Sequence, residues 1–294
     1  MSGPSRRGLC LGVSAAAVTG CGRRSAPPAS SGRAGPAKGS VEWALAGDWR
    51  SAADKARDAW RHPLQSLGFW GFEAHMTVVE FWPGAGWYTD ILAPCLTANQ
   101  GRLYAAVLEP DDPAARAVDD AYRRKLSARP DLYGAASITA FGPASGAVAP
   151  AGSADLVLFL RNLHNWMAAG LVEKAFHEAF AALKPGAVLG VEEHRARPGG
   201  VQDPMAASGY VQEAYVRQLA KEAGFDFGAS SEVNANPRDA RDHPFGVWTL
   251  PPERRSSPRG SPPDPAFDHR KYDVIGESDR MTLKFIKPSR PRAG

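Results

Sequence analysis

The stretch VVEFWPGAGWYTD, residues 78–90, sets two valines and a glutamate ahead of two glycines one residue apart, with aromatics on both sides. Residues Thr77 to Phe81 predict a short buried strand, and Tyr88 to Leu96 a helix disturbed by Pro94. Between them Gly84 and Gly86 permit either a sharp strand-to-helix turn or a backbone that comes close to a ligand. A helix N-terminus just after such a turn is polar and suits an anionic group. These thirteen residues fit a ligand cradle and a plain core turn alike, so the flanking chain decides.

Working outward, short apolar runs alternate with amphipathic stretches. Upstream, Trp49, Ala52, Ala53, Ala56, Ala59 and Trp60 recur at helical spacing until Pro63, which predicts an N-terminal helix. Downstream come a strand at 103–107, a helix at 114–126, a weak strand at 137–141 and the near-continuous apolar run DLVLFL at 155–160. That last run has the pattern of a strand buried on both faces of a parallel sheet. A helical stripe from Leu171 to Leu183 ends at Lys184-Pro185-Gly186, and a strand at 188–191 and a helix at 211–223 follow. Strands are expected again at 246–250 and 281–287, with no obvious helix between them. Such alternation implies an α/β fold with a doubly wound, mostly parallel seven-stranded sheet, an antiparallel hairpin at one edge and an N-terminal helical extension.

The chain ends read differently from this body. Residues 1–40 carry six basic residues and no acid, so a net charge of +4 for the 294-residue chain leaves the remainder at −2. Such a body has no general basic field, and nucleic acid is not expected as a partner. Arg6-Arg7 precedes an apolar run from Leu9 to Val18, too short to span a bilayer, and Val18-Thr19-Gly20-Cys21 resembles a lipobox. Residues 1–20 are therefore expected to be a signal peptide of twin-arginine and lipobox type, with Cys21 lipidated. Residues 21–40, free of large apolar side chains, predict a disordered tether, 41–288 the folded domain and 289–294 a tail. Within the domain 251–268, rich in proline, serine and arginine, predicts an exposed loop. The expected location is the cell envelope, with membrane contact through the lipid anchor alone. Cys95 would then have no disulfide partner and is expected to pack as a small hydrophobe.

The order of parts, together with WPGAGWYTDILAP, RNLHNWM, EEHRA and NANPRD, resembles class I S-adenosylmethionine-dependent methyltransferases, and within them a group of bacterial methyltransferase-like proteins. The resemblance covers roughly residues 42–287 and implies a Rossmann-like methyltransferase fold. It further implies S-adenosylmethionine as cofactor and methyl transfer to a small-molecule acceptor. On the family pattern, an acid is followed by glycines at the second, fourth and sixth positions. Glu80 is that acid, Gly84 and Gly86 fill the last two places, and Trp82 stands where the first glycine belongs. The cofactor-binding set implied by the resemblance is Glu80, Trp82, Gly84, Gly86, Tyr88, Glu109 for the ribose hydroxyls, and Asn162.

RNLHNW, residues 161–166, follows the fourth strand, where His164 is a candidate general base and Arg161 and Asn165 candidate acceptor ligands. EEHRA, residues 192–196, brings His194, the second candidate catalytic residue, to the end of the fifth strand, where it can approach His164 across adjacent strand ends. Asn234, Asn236 and Arg238 of NANPRD complete the expected acceptor set. No HxxxH or HxH spacing supports a metal, and none is expected. A second reading from another class is a lipid-anchored envelope binding protein that keeps the fold without transfer, stacking its ligand on the aromatics around Trp82.

Overall fold

The computed structural model describes residues 35–109 and 113–289. The expected signal peptide and Cys21 lie outside them, as do most of the expected tether and the tail. Among the described residues no helix is long and apolar enough to cross a membrane.

The seven strands are β1 (Thr77–Phe81), β2 (Arg102–Leu108), β3 (Ala136–Phe141), β4 (Ala154–Leu160), β5 (Leu183–His194), β6 (Asp226–Ser231) and β7 (Arg280–Ile286). They form one sheet in the order β3-β2-β1-β4-β5-β7-β6. β1 to β5 are parallel, while β7 runs antiparallel to both β5 and β6. Strand order reverses between β1 and β4, and the carboxyl ends of those two strands form the crevice where such sheets place ligands. The doubly wound, mostly parallel fold with its antiparallel edge is as the alternation implied.

Side chains alternate across the sheet and feed two cores. Val79 and Phe81 join Phe159, Val191 and Phe285 on one face, under the helix Val172–Ala182. Val78 joins Leu103, Ala105 and Leu158 on the other, under the helix Thr89–Ala98 and Trp70. Glu80, between Val79 and Phe81, therefore points to the second face and is buried beneath that helix.

Three local expectations are corrected. First, residues 246–250 are not a strand: Gly246–Thr249 is a 3-10 helix whose Val247 N–H donates to the Ser208 carbonyl. Gly246, at φ 59°, touches that same backbone so closely that a Cβ would lie 2.1 Å from the Ser208 oxygen. The edge strand is instead β6, whose DFGASS shows no apolar alternation because most of it faces solvent. Second, the helix expected around residues 49–60 is two short helices, Ala52–Ala56 and Asp58–Arg61. His62 then takes a left-handed conformation and Pro63 opens the helix Pro63–Trp70 from its first turn, where a missing N–H costs nothing. Third, the helix after β1 runs through Pro94. The carbonyl of Asp90, which Pro94 cannot bond, accepts the Trp49 indole N–H at 2.8 Å.

Of the expected tether, Gly39 and Ser40 pack on this helix: Cys95 Sγ donates to the Ser40 carbonyl and Asn99 to that of Gly39. Cys95 is buried, and burial pushes its thiol up to about 12.

Candidate active site

The β1 turn is held in place by its own backbone oddities. Trp82 occupies the left-handed region at φ 45°, a conformation that suits the glycine expected there and strains a tryptophan. Its indole N–H donates to the Phe141 carbonyl at the end of β3, at 2.8 Å, and its ring packs edge-on against Trp166. Its own carbonyl accepts Asn162 Nδ2 at 3.1 Å, which ties the β1 turn to the end of β4.

The two glycines differ in purpose. Gly84, at φ 58°, has open space where a Cβ would stand, so its backbone fronts a cavity. A Cβ on Gly86 would stand 3.0 Å from the Tyr122 ring, so this glycine lets the helix Pro113–Ala128 approach. Behind them Glu80 accepts the Thr89 hydroxyl at 2.7 Å, and Thr89 also meets the Tyr122 hydroxyl at 3.0 Å. Burial pushes Glu80 up to about 7, with the Thr89 bond opposing it.

A cavity of about 180 Å³ lies over this turn, walled by Trp82, Gly84, Leu108, Val118, Tyr122 and Asn162, with Asp119 at its edge. Asp119 Oδ2 accepts Arg123 at 2.8 Å, while its Oδ1 is buried without a hydrogen-bond partner. Glu109, the expected ribose acid, turns instead toward the loop after β3 and accepts the Ala144 N–H at 3.2 Å. Gly142 makes room for it, since a Cβ there would stand 2.5 Å from Glu109 Oε2. Asp119 was not anticipated from the sequence: on an amphipathic helix it has the spacing of an ordinary surface partner for Arg123. Tyr88 is buried below the turn, its hydroxyl donating to Glu192 at 3.2 Å, and does not line the cavity.

Next to this cavity the ends of β4 and β5 bring His164 and His194 together, ring centroids 5.3 Å apart. Glu193 is wholly buried between them. Its carboxylate accepts the backbone N–H groups of Leu163 at 2.6 Å and His194 at 2.7 Å, with His164 N at 3.4 Å, and faces His164 Nδ1 at 3.0 Å. Those amide donors fix Glu193 as an acceptor, so His164 presents Nδ1–H to it, and in the neutral imidazole Nε2 is then the ring's acceptor. This is the orientation a carboxylate gives a general base. His194 Nδ1 meets Ser278 Oγ at 2.5 Å. Burial first, then His164, Arg280 and Arg161, hold His194 well below the usual histidine range, so it stays neutral.

His164, Glu193 and His194 also offer three ligand atoms within 4.8 Å of one another. Glu193 already accepts the backbone N–H groups of Leu163 and His194 and faces His164 Nδ1, which commits its oxygens to that network. The trio is better suited to proton transfer than to a metal.

Arg161, at φ 60°, donates to Glu192 at 3.1 Å and lines a cavity of about 200 Å³ with both histidines. Asn165 donates to Asn162 Oδ1 at 3.3 Å, linking the β1 cavity to a third, of about 410 Å³, that His164 also lines. NANPRD is not drawn into this group. Asn234 Nδ2 donates to Ser66 and Thr282, both at 3.0 Å, and Asn236 Nδ2 to the Ile275 and Glu277 carbonyls. These bonds brace the entry to β7, and Arg238 stacks over Trp60 at 5.4 Å beside a separate cavity.

No family model matches the chain, and no curated protein is significantly similar to it. Solved structures do resemble it. A methyltransferase-assigned protein of Haloferax volcanii, solved with its activator, has 14% identity and a TM-score of 0.51, covering 82% of this chain and 96% of that one. A Galdieria sulphuraria protein assigned as a sarcosine dimethylglycine methyltransferase has 14% identity and 0.50, covering 81% and 88%. The [4+2]-cyclase SpnF has 15% identity and 0.50, covering 83% and 85%. At these identities the likeness is one of fold: the chain has the Rossmann-like fold of S-adenosylmethionine-dependent methyltransferases.

Proposed function

We propose that the protein is an S-adenosylmethionine-dependent methyltransferase acting on a small-molecule acceptor beside His164. The observation that carries this reading is the His164–Glu193 pair, set at the ends of β4 and β5 next to the glycine turn of β1. The β1 cavity fits the cofactor's nucleoside in kind: Gly84 offers bare backbone, Val107, Leu108 and Tyr122 offer flat apolar walls, and Asp119 Oδ1 is an unpartnered acceptor for hydroxyl groups. When bound, the cofactor supplies an electrophilic methyl whose bond to sulfur breaks as the acceptor's bond to carbon forms. His164 Nε2 takes the proton that the acceptor's attacking atom loses, and Glu193 holds the ring in the basic tautomer. Asn162 keeps the cofactor and acceptor sides of the crevice in register, the positioning on which such a displacement depends.

Titration of the full chain with S-adenosylhomocysteine, followed by calorimetry, tests the reading. Micromolar binding is expected; folded protein that does not bind would overturn it.

Trp82 favours a second reading, a binding protein that retains the fold without transfer, because an indole stands where the family has bare backbone. The [4+2]-cyclase among the fold neighbours shows that this architecture is not tied to one chemistry. We propose further that residues 1–20 export the chain and that Cys21 anchors it in the cell envelope. Cys21→Ser is expected to move the protein from the membrane to the soluble fraction.

A further inference from the structure

The cavities beside His164 differ in how their arginines are employed. In the one shared with His194, Arg57 and Arg61 converge on Glu277, at 2.8 and 3.0 Å, together with Arg280 at 2.7 Å. Arg161 is paired with Glu192. Each of those guanidiniums already holds a buried carboxylate, the four of them sharing Glu277 and Glu192.

The cavity of about 410 Å³ is different. It is lined by Arg255 and Arg259 and by no carboxylate, with Trp248, Met205 and Ala168 as apolar wall and His164 and Asn165 at one side. Arg255 is spread over the Trp248 ring at 4.8 Å. Its nearest acid, Glu253, is 3.8 Å away, beyond hydrogen-bond reach, and largely exposed. Arg259 has no hydrogen bond or ion pair among the described residues. Two forks of N–H donors thus border a concave, partly apolar space whose lining includes no carboxylate. A planar guanidinium fork matches the oxygens of a carboxylate or phosphate. Trp248 and the exposed Met205 suit a flat or adaptable apolar body.

We infer that the acceptor is an oxyanion-bearing aromatic molecule, its anionic group held by Arg255 and Arg259, its ring against Trp248 and Met205, and its reactive end toward His164. This rests on the acceptor site proposed above, but binding of the anion needs neither cofactor nor transfer. It also follows from the electrostatics that salt weakens the complex, since both guanidiniums are partly solvated.

The test is calorimetry of the full chain, without cofactor, against benzoate, phenyl phosphate and the neutral isostere benzamide. At least one of the two anions is expected to bind tenfold or more tightly than benzamide, and their ratio distinguishes a carboxylate from a phosphate site. Arg255→Gln with Arg259→Gln should weaken that anion at least tenfold and leave S-adenosylhomocysteine binding unchanged. Arg259→Gln alone, at an exposed position without a partner, should keep the fold and still weaken binding severalfold. Arg254→Gln, whose side chain is paired with Asp273, should have no effect. Equal affinity for benzamide and both anions, or anion binding indifferent to both arginines, overturns the inference. Loss of S-adenosylhomocysteine binding with anion binding intact sinks only the transferase reading.

Discussion

The indole of Trp82 donates to the carbonyl of Phe141 across 2.8 Å, while its own backbone sits at φ 45°. One residue thus combines a strained backbone with an anchored side chain, at the place where the family pattern has a glycine. Left-handed backbone costs a non-glycine residue roughly 1–2 kcal/mol, and the hydrogen bond returns about 1 kcal/mol. The indole also restricts the cavity, whose volume of about 180 Å³ is below the roughly 300–1,000 Å³ common for drug-sized ligands.

Trp82→Gly should therefore tighten S-adenosylhomocysteine binding about tenfold by freeing the strained backbone and widening the cavity. Trp82→Phe keeps the wall but not the indole bond, and should lower stability by about 1 kcal/mol with little change in affinity. Calorimetry and urea unfolding of both variants check this. Unchanged affinity in Trp82→Gly would mean that the indole does not gate the cavity.

The His164–Glu193 pair separates catalysis from stability. His164→Gln should lower kcat by about 10²–10⁴-fold, the usual span for a lost general base, with cofactor affinity unaltered. Glu193→Gln should do this and also destabilise the fold by about 1–3 kcal/mol. Both Glu193 oxygens accept backbone N–H groups, so an amide must present its NH₂ to a donor whichever way it turns. Normal transfer by His164→Gln would remove the histidine from the mechanism.

Much of this architecture was legible in the sequence. DLVLFL is recognisable because a strand buried on both faces has no polar alternation, and the β1 turn because glycines cannot be replaced cheaply at φ near 60° or 86°. What escaped has equally physical causes. β6 is an edge strand whose DFGASS buries little, so no periodicity marks it. GVWTL at 246–250 has the composition of a strand, yet it folds as a 3-10 helix tied to the Ser208 carbonyl, a long-range contact that local pattern does not encode. Asn234 and Asn236 resemble ligand residues because asparagine is common in binding loops; only the fold shows their amides committed to the entry of β7. His164 and Glu193 lie 29 residues apart, and their pairing depends on the register of β4 against β5.

Glu80 predicts a pH dependence with a definite sign. Burial favours its protonated form, so the carboxyl titrates near 7 in the folded chain against 4.5 for the ordinary group. Its stabilising contribution is fully present below pH 4.5, falls as pH rises and is lost above about 7. The difference amounts to about 3 kcal/mol as an order of magnitude. Glu80→Gln keeps an acceptor for Thr89 but cannot ionise, so relative to wild type it should gain stability progressively between pH 5 and pH 8. Urea unfolding of the pair at both pH values provides the comparison, and a constant difference would show that Glu80 does not titrate in this window.

Trp49 offers a test of how the N-terminal helices secure the site. Its indole occupies the carbonyl of Asp90 that Pro94 leaves unbonded in the helix leading away from the β1 turn. Trp49→Phe keeps most of the packing but strips that carbonyl of its partner, and should cost about 1–3 kcal/mol. In a Pro94→Ala background the restored amide N–H at residue 94 takes over the Asp90 carbonyl, so the same substitution should cost less. The two changes are expected to couple by at least about 0.5 kcal/mol, the scale seen for groups sharing one partner. Additive costs in denaturant unfolding of the wild type, both single variants and the double variant would show that the indole acts through packing alone. Coupling would identify the N-terminal extension as a hydrogen-bonded part of the helix that carries Thr89, and through Thr89 of the Glu80 cradle itself.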